Sequence, residues 1–133
     1  MVSNIVTSLE FYSKLGMPIE FSVDGEKHTE MPGVISSDVV FAQLQAGDSK
    51  IMVQEKQSLI EDSGAFHDDV VPGGSIAIYL RVTNLDKLIE NFDSSTEIIK
   101  GPETSWYGMK EIYLKDPDGY LLTLGQPDGP APE

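Results

Sequence analysis

The sequence predicts an α+β fold made of two copies of one module, a helix followed by three strands. Three observations predict it. First, residues 2–12, VSNIVTSLEFY, lie over residues 82–92, VTNLDKLIENF, at an offset of 80. Val2/Val82, Asn4/Asn84 and Glu10/Glu90 match, and the Ser/Thr, Ile/Leu, Leu/Ile and Tyr/Phe pairs nearly do. A repeat on this scale marks one supersecondary unit used twice. Second, three alternating stretches follow each helix, the last two forming a hairpin. Third, the last hairpin turns on Asp116-Pro117-Asp118-Gly119. There Pro presets φ, Asp side chains bond nearby backbone amides and Gly takes φ > 0.

Taken in order, Val2 to Leu15 reads as an amphipathic helix with Ile5, Leu9 and Tyr12 on one stripe. Asn4 or Ser3 serves as its N-cap and Gly16 ends it. Met17 to Val23 alternates as a strand, and a polar connection over residues 24–36 follows. Val39 to Leu44 and Lys50 to Gln54 form a hairpin around Ala46-Gly47-Asp48-Ser49. Residues 56–74 read as an irregular linker with a helical turn at Gln57 to Asp62. Ser75 to Val82 is a strand, Thr83 or Asn84 caps a helix over Leu85 to Phe92, and Thr96 to Lys100 is a strand that Gly101-Pro102 stops. Met109 to Lys115 and Tyr120 to Leu124 close the sheet as the final hairpin. The second copy therefore reads strand, helix, strand, strand, strand. The first lacks the leading strand, because only Met1 to Ser3 precede its helix. The organisation is one domain over residues 1–133: a first module to about residue 56, a linker over about 57–74, a second module over about 75–126 and an irregular tail over 127–133.

Composition narrows the function. The chain has 133 residues, 40% of them apolar, enough for a packed core. It has no cysteine, which excludes disulfides, thiolate catalysis and Cys-ligated zinc. Nine basic against 22 acidic residues give a net charge of −13, opposed to nucleic-acid binding and favourable to cationic or neutral ligands. No apolar run approaches the ~20 residues of a membrane span, and the N-terminus lacks a basic, then apolar, signal pattern. The expectation is a cytoplasmic chain with neither nucleic-acid nor membrane partners.

Two blocks carry a family resemblance: SLEFYSKLGM at 8–17, a helix-to-turn block, and KDPDGYLLTL at 115–124, a final hairpin. With their order, spacing and the internal repeat, the chain resembles the vicinal-oxygen-chelate superfamily of glyoxalase I, bleomycin-resistance proteins and extradiol dioxygenases. WYGMK at 106–110 resembles a block of the PhnB-like and bleomycin-resistance-like branches. The resemblance implies paired βαβββ modules forming a curved mixed sheet, helices on its convex face and the site on its concave face. Metal-dependent members carry His, Gln or Glu at four positions, on the first and last strands of each module. Carried onto this chain, the first precedes Met1, the second falls on Met52 (or, shifted by one, Val53), the third on Ser75 and the fourth on Thr123. Thioether and hydroxyl side chains do not hold a hard divalent cation. The expectation is a site with no metal, no cofactor and no catalytic residue.

Strand alternation and the same resemblance assign the concave face. Leu121 and Thr123 line it, as do Met52 and Gln54. Ser75, Ala77, Tyr79 and Arg81 follow by analogy with the ligand position. The strand from Met109 offers either Lys110, Ile112 and Leu114 or Met109, Glu111 and Tyr113, and the second set is favoured. Trp106 and Tyr107 are candidate anchors for a planar or cationic ligand. The candidate ligand-binding residues are therefore Trp106, Tyr107, Met52, Gln54, Tyr79, Thr123 and Glu111. The expected function is metal-free sequestration of a small cationic or aromatic molecule by a homodimer of the antibiotic-resistance type. The alternative is a glyoxalase-like lyase, isomerase or dioxygenase with relocated metal or acid–base residues, using His67 or Glu111. His28 and His67 both lie in polar loops.

Overall fold

The computed structural model describes residues 1–74 and 76–129. The chain divides into two compact units, Met1–Pro72 and Gly73 onward.

The first unit opens with Val2, whose N–H donates to Gln54 O at 2.8 Å and whose carbonyl accepts from Lys56 N–H at 2.9 Å. This is an isolated parallel bridge, not a strand. Helix α1 (Ile5–Lys14) follows, with the Asn4 side chain accepting from Thr7 N–H at its start. Strands β1 (Ile19–Asp24), β2 (Thr29–Glu30), β3 (Val39–Ala46) and β4 (Ser49–Gln54) form an antiparallel sheet in the order β2-β1-β3-β4. α1 packs on β3 and β4. Ile5, Leu9, Tyr12, Ile19, Ala42, Leu44 and Val53 are buried there.

Residues 56–63 are more ordered than a single turn. Helix α2 (Lys56–Ser63) forms because the Glu55 carboxylate accepts from Gln57 and Ser58 N–H, and Gly64 closes the helix at φ 62°. β2 is likewise an addition, formed within the connection over 24–36.

The second unit contains β5 (Ala77–Arg81), α3 (Leu85–Ile89), β6 (Glu97–Thr104), β7 (Met109–Lys115) and β8 (Leu121–Pro127). Its sheet is mixed, in the order β5-β8-β7-β6, with β5 parallel to β8 and the other pairs antiparallel. Asn84 caps α3 by accepting from Lys87 N–H, as Asn4 does in α1. α3 is tied to β8, where the Gln126 side-chain carbonyl accepts from Leu85 N–H at 2.6 Å. Leu85, Ile112, Leu114, Leu122 and Leu124 form the core. Each such side chain contributes roughly 1.5–3 kcal/mol of burial free energy. Ser75 and residues 130–133, the end of the tail, lie outside the described residues.

Gly101-Pro102 does not end the strand before it. β6 runs through to Thr104, with register irregularities between Ile98 and Lys100 and between Lys100 and Glu103. Gly101, at φ 95°, absorbs the irregularity. Proline is tolerated because β6 is an edge strand, where a missing N–H leaves no ladder bond unmade.

The repeat holds at the backbone. Val82 N–H donates to Gly125 O at 2.9 Å, as Val2 N–H does to Gln54 O. Gln54 therefore corresponds to Gly125, and Met52 to Thr123.

Candidate functional site

The face of the second sheet turned away from its leucine core carries a buried carboxylate. Glu111 is 2% exposed, although β7 could have placed it outward. Its position follows from alternation: Ile112 and Leu114 enter the core, so Glu111 and Tyr113 take the other face. An unsatisfied buried carboxylate would be costly. Three phenols satisfy this one. Tyr79 donates to Oε1 at 2.7 Å, Tyr107 reaches both oxygens at 2.7 Å, and Tyr113 donates to Oε2 at 3.3 Å.

Three different segments deliver these phenols. Tyr113 stands two residues along β7. Tyr107 comes from the turn before β7, which is closed by Ser105 N–H to Met109 O at 2.7 Å and Gly108 N–H to Ser105 O at 3.1 Å. Tyr79 comes from β5, on the far side of β8, and crosses that strand at Gly125. In register, Tyr79 pairs with Thr123 and Thr123 with Tyr113. The next row is Arg81, Gly125 and Glu111.

Burial first, then the hydrogen bond and charge of Glu111, raise the Tyr79 hydroxyl far above the ordinary phenol range. The hydrogen bond to Glu111 pushes Tyr107 up to about 12. Both phenols are therefore protonated donors at neutral pH. At the edge of the sheet, the Lys100 ammonium lies 5.9 Å from the Tyr113 ring centroid and pairs with Glu103 at 2.7 Å. Trp106 is 90% exposed and stands edge-on to Tyr107, ring centroids 5.3 Å apart. Tyr79 is 47% exposed, so its hydroxyl end is engaged while ring surface remains accessible.

Of the sequence candidates, Tyr79, Tyr107, Glu111 and Thr123 come together here, with Trp106 edge-on to Tyr107. Met52 and Gln54 belong to the first unit. Met52 is 62% exposed, opposite Gln43 in register. The Gln54 amide donates to Ser58 Oγ at 2.9 Å and Asp62 Oδ2 at 2.7 Å, beside a cavity of about 500 Å³ lined by Val23, Asp24, Phe41 and Gln54 among others. Tyr113 and Arg81 join this face from β7 and β5, where no local signal in the sequence distinguishes them, and Gly125 carries none either. His28 is exposed and bonds Asp24 through Nδ1 at 3.1 Å, and His67 lies in an exposed loop.

A divalent cation does not fit the positions that the sequence resemblance assigns to metal ligands. Thr123, 5% exposed, is flanked by Tyr79 and Tyr113, and the corresponding residue of the first unit is a thioether. The position on Ser75 lies outside the described residues. Among the described residues no three His, Asp or Glu side chains converge as a metal-binding group.

No curated protein matches the chain. Solved structures of similar fold include a protein of unknown function from Agrobacterium tumefaciens, at TM-score 0.70 and 20% identity, covering 95% of this chain and 87% of that one. A glyoxalase/bleomycin resistance protein/dioxygenase family enzyme from Burkholderia phytofirmans superposes at TM-score 0.65 and 20% identity, covering 94% and 91%. A glyoxalase-related enzyme from Fulvimarina pelagi does so at 0.63 and 16%, covering 99% and 91%. At these identities the likeness is one of fold. Residues 1–124 match the Glyoxalase/Bleomycin resistance protein/Dioxygenase superfamily, and the chain belongs to that superfamily.

Proposed function

We propose that this chain binds a small planar molecule on the open sheet face of its second unit and holds it without a metal. One observation carries the reading: the carboxylate best placed for acid–base work is occupied. Both Glu111 oxygens accept from phenols, so its role is to fix Tyr79, Tyr107 and Tyr113 in place. What faces outward is aromatic surface, Trp106 above all, with polar groups at its margins. Small-molecule sites have this composition, an apolar surface with a few fixed polar groups. The reading suits the sequestering, bleomycin-resistance-like branch better than the lyase, isomerase or dioxygenase branches.

Trp106 is the chain's only tryptophan, so its fluorescence reports this face alone. Titration with bicyclic aromatic compounds should quench it and raise the melting temperature, because a ligand that binds only the native state stabilises it. W106A should lose most of the affinity while keeping the fold. If no planar aromatic up to about 1 mM shifts the melting temperature or quenches Trp106, the reading is wrong.

A further inference from the structure

Arg81 is the chain's only arginine. It ends β5 and is exposed. In register it pairs with Gly125, which pairs with Glu111, so the three form one row across β5, β8 and β7. Two strand spacings separate the ends of that row, about 9.6 Å. A glycine in the middle offers no side chain to keep the outer two apart. A guanidinium and a buried carboxylate so placed would ordinarily pair in a bidentate bridge.

They do not pair. The Tyr79 phenol occupies the space above Gly125, and its hydroxyl donates to Glu111. Tyr107 and Tyr113 complete the set of donors. Outside the backbone ladder with β8, the Arg81 side chain makes no hydrogen bond or ion pair with another described residue. It acts on Tyr79 only through its field, opposing the larger raising effects of burial and Glu111 on that phenol. The lysines of the same sheet are arranged otherwise. Lys100, Lys110 and Lys115 each face a carboxylate, those of Glu103, Asp86 and Glu97. In a chain of net charge −13, the strongest bidentate donor is thus left open beside an accessible tyrosine ring.

We infer that Arg81 recognises an anionic group on the ligand, and that the ligand is an aromatic carboxylic acid whose ring lies against Tyr79. This rests on the planar-ligand reading given above and adds the ligand's charge. Guanidinium and carboxylate are both flat and match in a two-bond fork, so an acid gains geometry as well as charge. The overall negative field disfavours an anion at a distance. Recognition is therefore a short-range matter of Arg81, and a neutral analogue loses the charge-assisted, two-bond part of it.

The test is calorimetric titration of the full chain with three probes of one shape: naphthalene carboxylate, its carboxamide and naphthylmethylammonium. The wild type should bind the acid at least about tenfold more tightly than the amide. R81Q should make the two equal by weakening the acid alone, and R81K should keep part of the preference. Circular dichroism checks that both variants fold. If either does not, the wild-type comparison of acid with amide still decides. Equal binding of acid and amide by the wild type, or an acid preference that survives R81Q, would sink the inference and leave the planar-ligand reading standing. Tightest binding of the ammonium probe would also overturn it. Binding of none of the three would overturn both.

Discussion

The phenol ring of Tyr79 lies against the backbone of Gly125. A β-carbon at that position would come within 2.7 Å of Tyr79 Cζ and closer still to the hydroxyl. One glycine thus lets a side chain from β5 cross β8 and reach a carboxylate on β7. The consequence is electrostatic as well as steric: Glu111 is satisfied by phenols, and Arg81 is left for another partner. Tyr79 is also the register partner of Thr123, which is 5% exposed.

Gly125→Ala should therefore destabilise the protein by about 2–3 kcal/mol, from overpacking and from a lost hydrogen bond to a buried carboxylate. Gly125 is not at a positive φ, so alanine itself strains nothing in the backbone. In a Tyr79→Ala background the same change should be neutral or stabilising by up to about 1 kcal/mol, because alanine narrows the unfolded ensemble. Urea melts of the four proteins in this double-mutant cycle measure the reversal. An equal cost in both backgrounds would show that the clash is not the mechanism.

The raised phenols make a pH prediction. An unfolded tyrosine loses its proton near pH 10, whereas Tyr107 keeps its own to about pH 12 and Tyr79 also titrates late. Above pH 10 the unfolded state therefore binds fewer protons than the folded one, and stability falls as pH rises. The contribution is complete below pH 10 and is lost as pH climbs through the folded values. Ultraviolet titration should show Tyr79 and Tyr107 ionising late, together with alkaline unfolding. Tyr107→Phe should remove one late phenol and flatten the loss. A single transition near pH 10 for all five tyrosines would contradict the network.

Much of the fold is legible in the sequence, and the reason is local. Asn caps, alternating strands and the Asp-Pro-Asp-Gly turn are short-range signals, and alternation alone puts Ile112, Leu114, Leu122 and Leu124 inside and Glu111 on the other face. What is not legible depends on register between distant segments. Gly125 in a strand reads as a weak point, and only the pairing of β5 with β8 shows that it makes room for Tyr79. Arg81 reads as an ordinary surface charge until its row-mate Glu111 is seen to be occupied. Gly101-Pro102 reads as a stop, and only its edge position lets β6 continue.

Trp106→Ala should change stability by less than about 0.5 kcal/mol, because a side chain this exposed contributes little to the core. Its emission in the wild type should be that of a solvated indole. A loss of several kcal/mol in a urea melt would mean that the ring is packing material and not a rim group.

The two capping asparagines offer the last prediction. Asn4 accepts from Thr7 N–H at 3.0 Å and Asn84 from Lys87 N–H at 3.1 Å, the same bond in each copy of the module. Asn→Ala at an N-cap costs about 1 kcal/mol. Asn4→Ala should cost at least that, because α1 has ten residues packed on β3 and β4. Asn84→Ala strikes a helix of only five residues, one too short to persist without its cap and its tie to Gln126. Its signature should therefore be local, with faster amide exchange confined to residues 85–89 and little change in the global melt. If Asn84→Ala lowers the melting temperature as much as Asn4→Ala does, the α3 cap is coupled to the global fold through the buried Leu85, and the opening is not local.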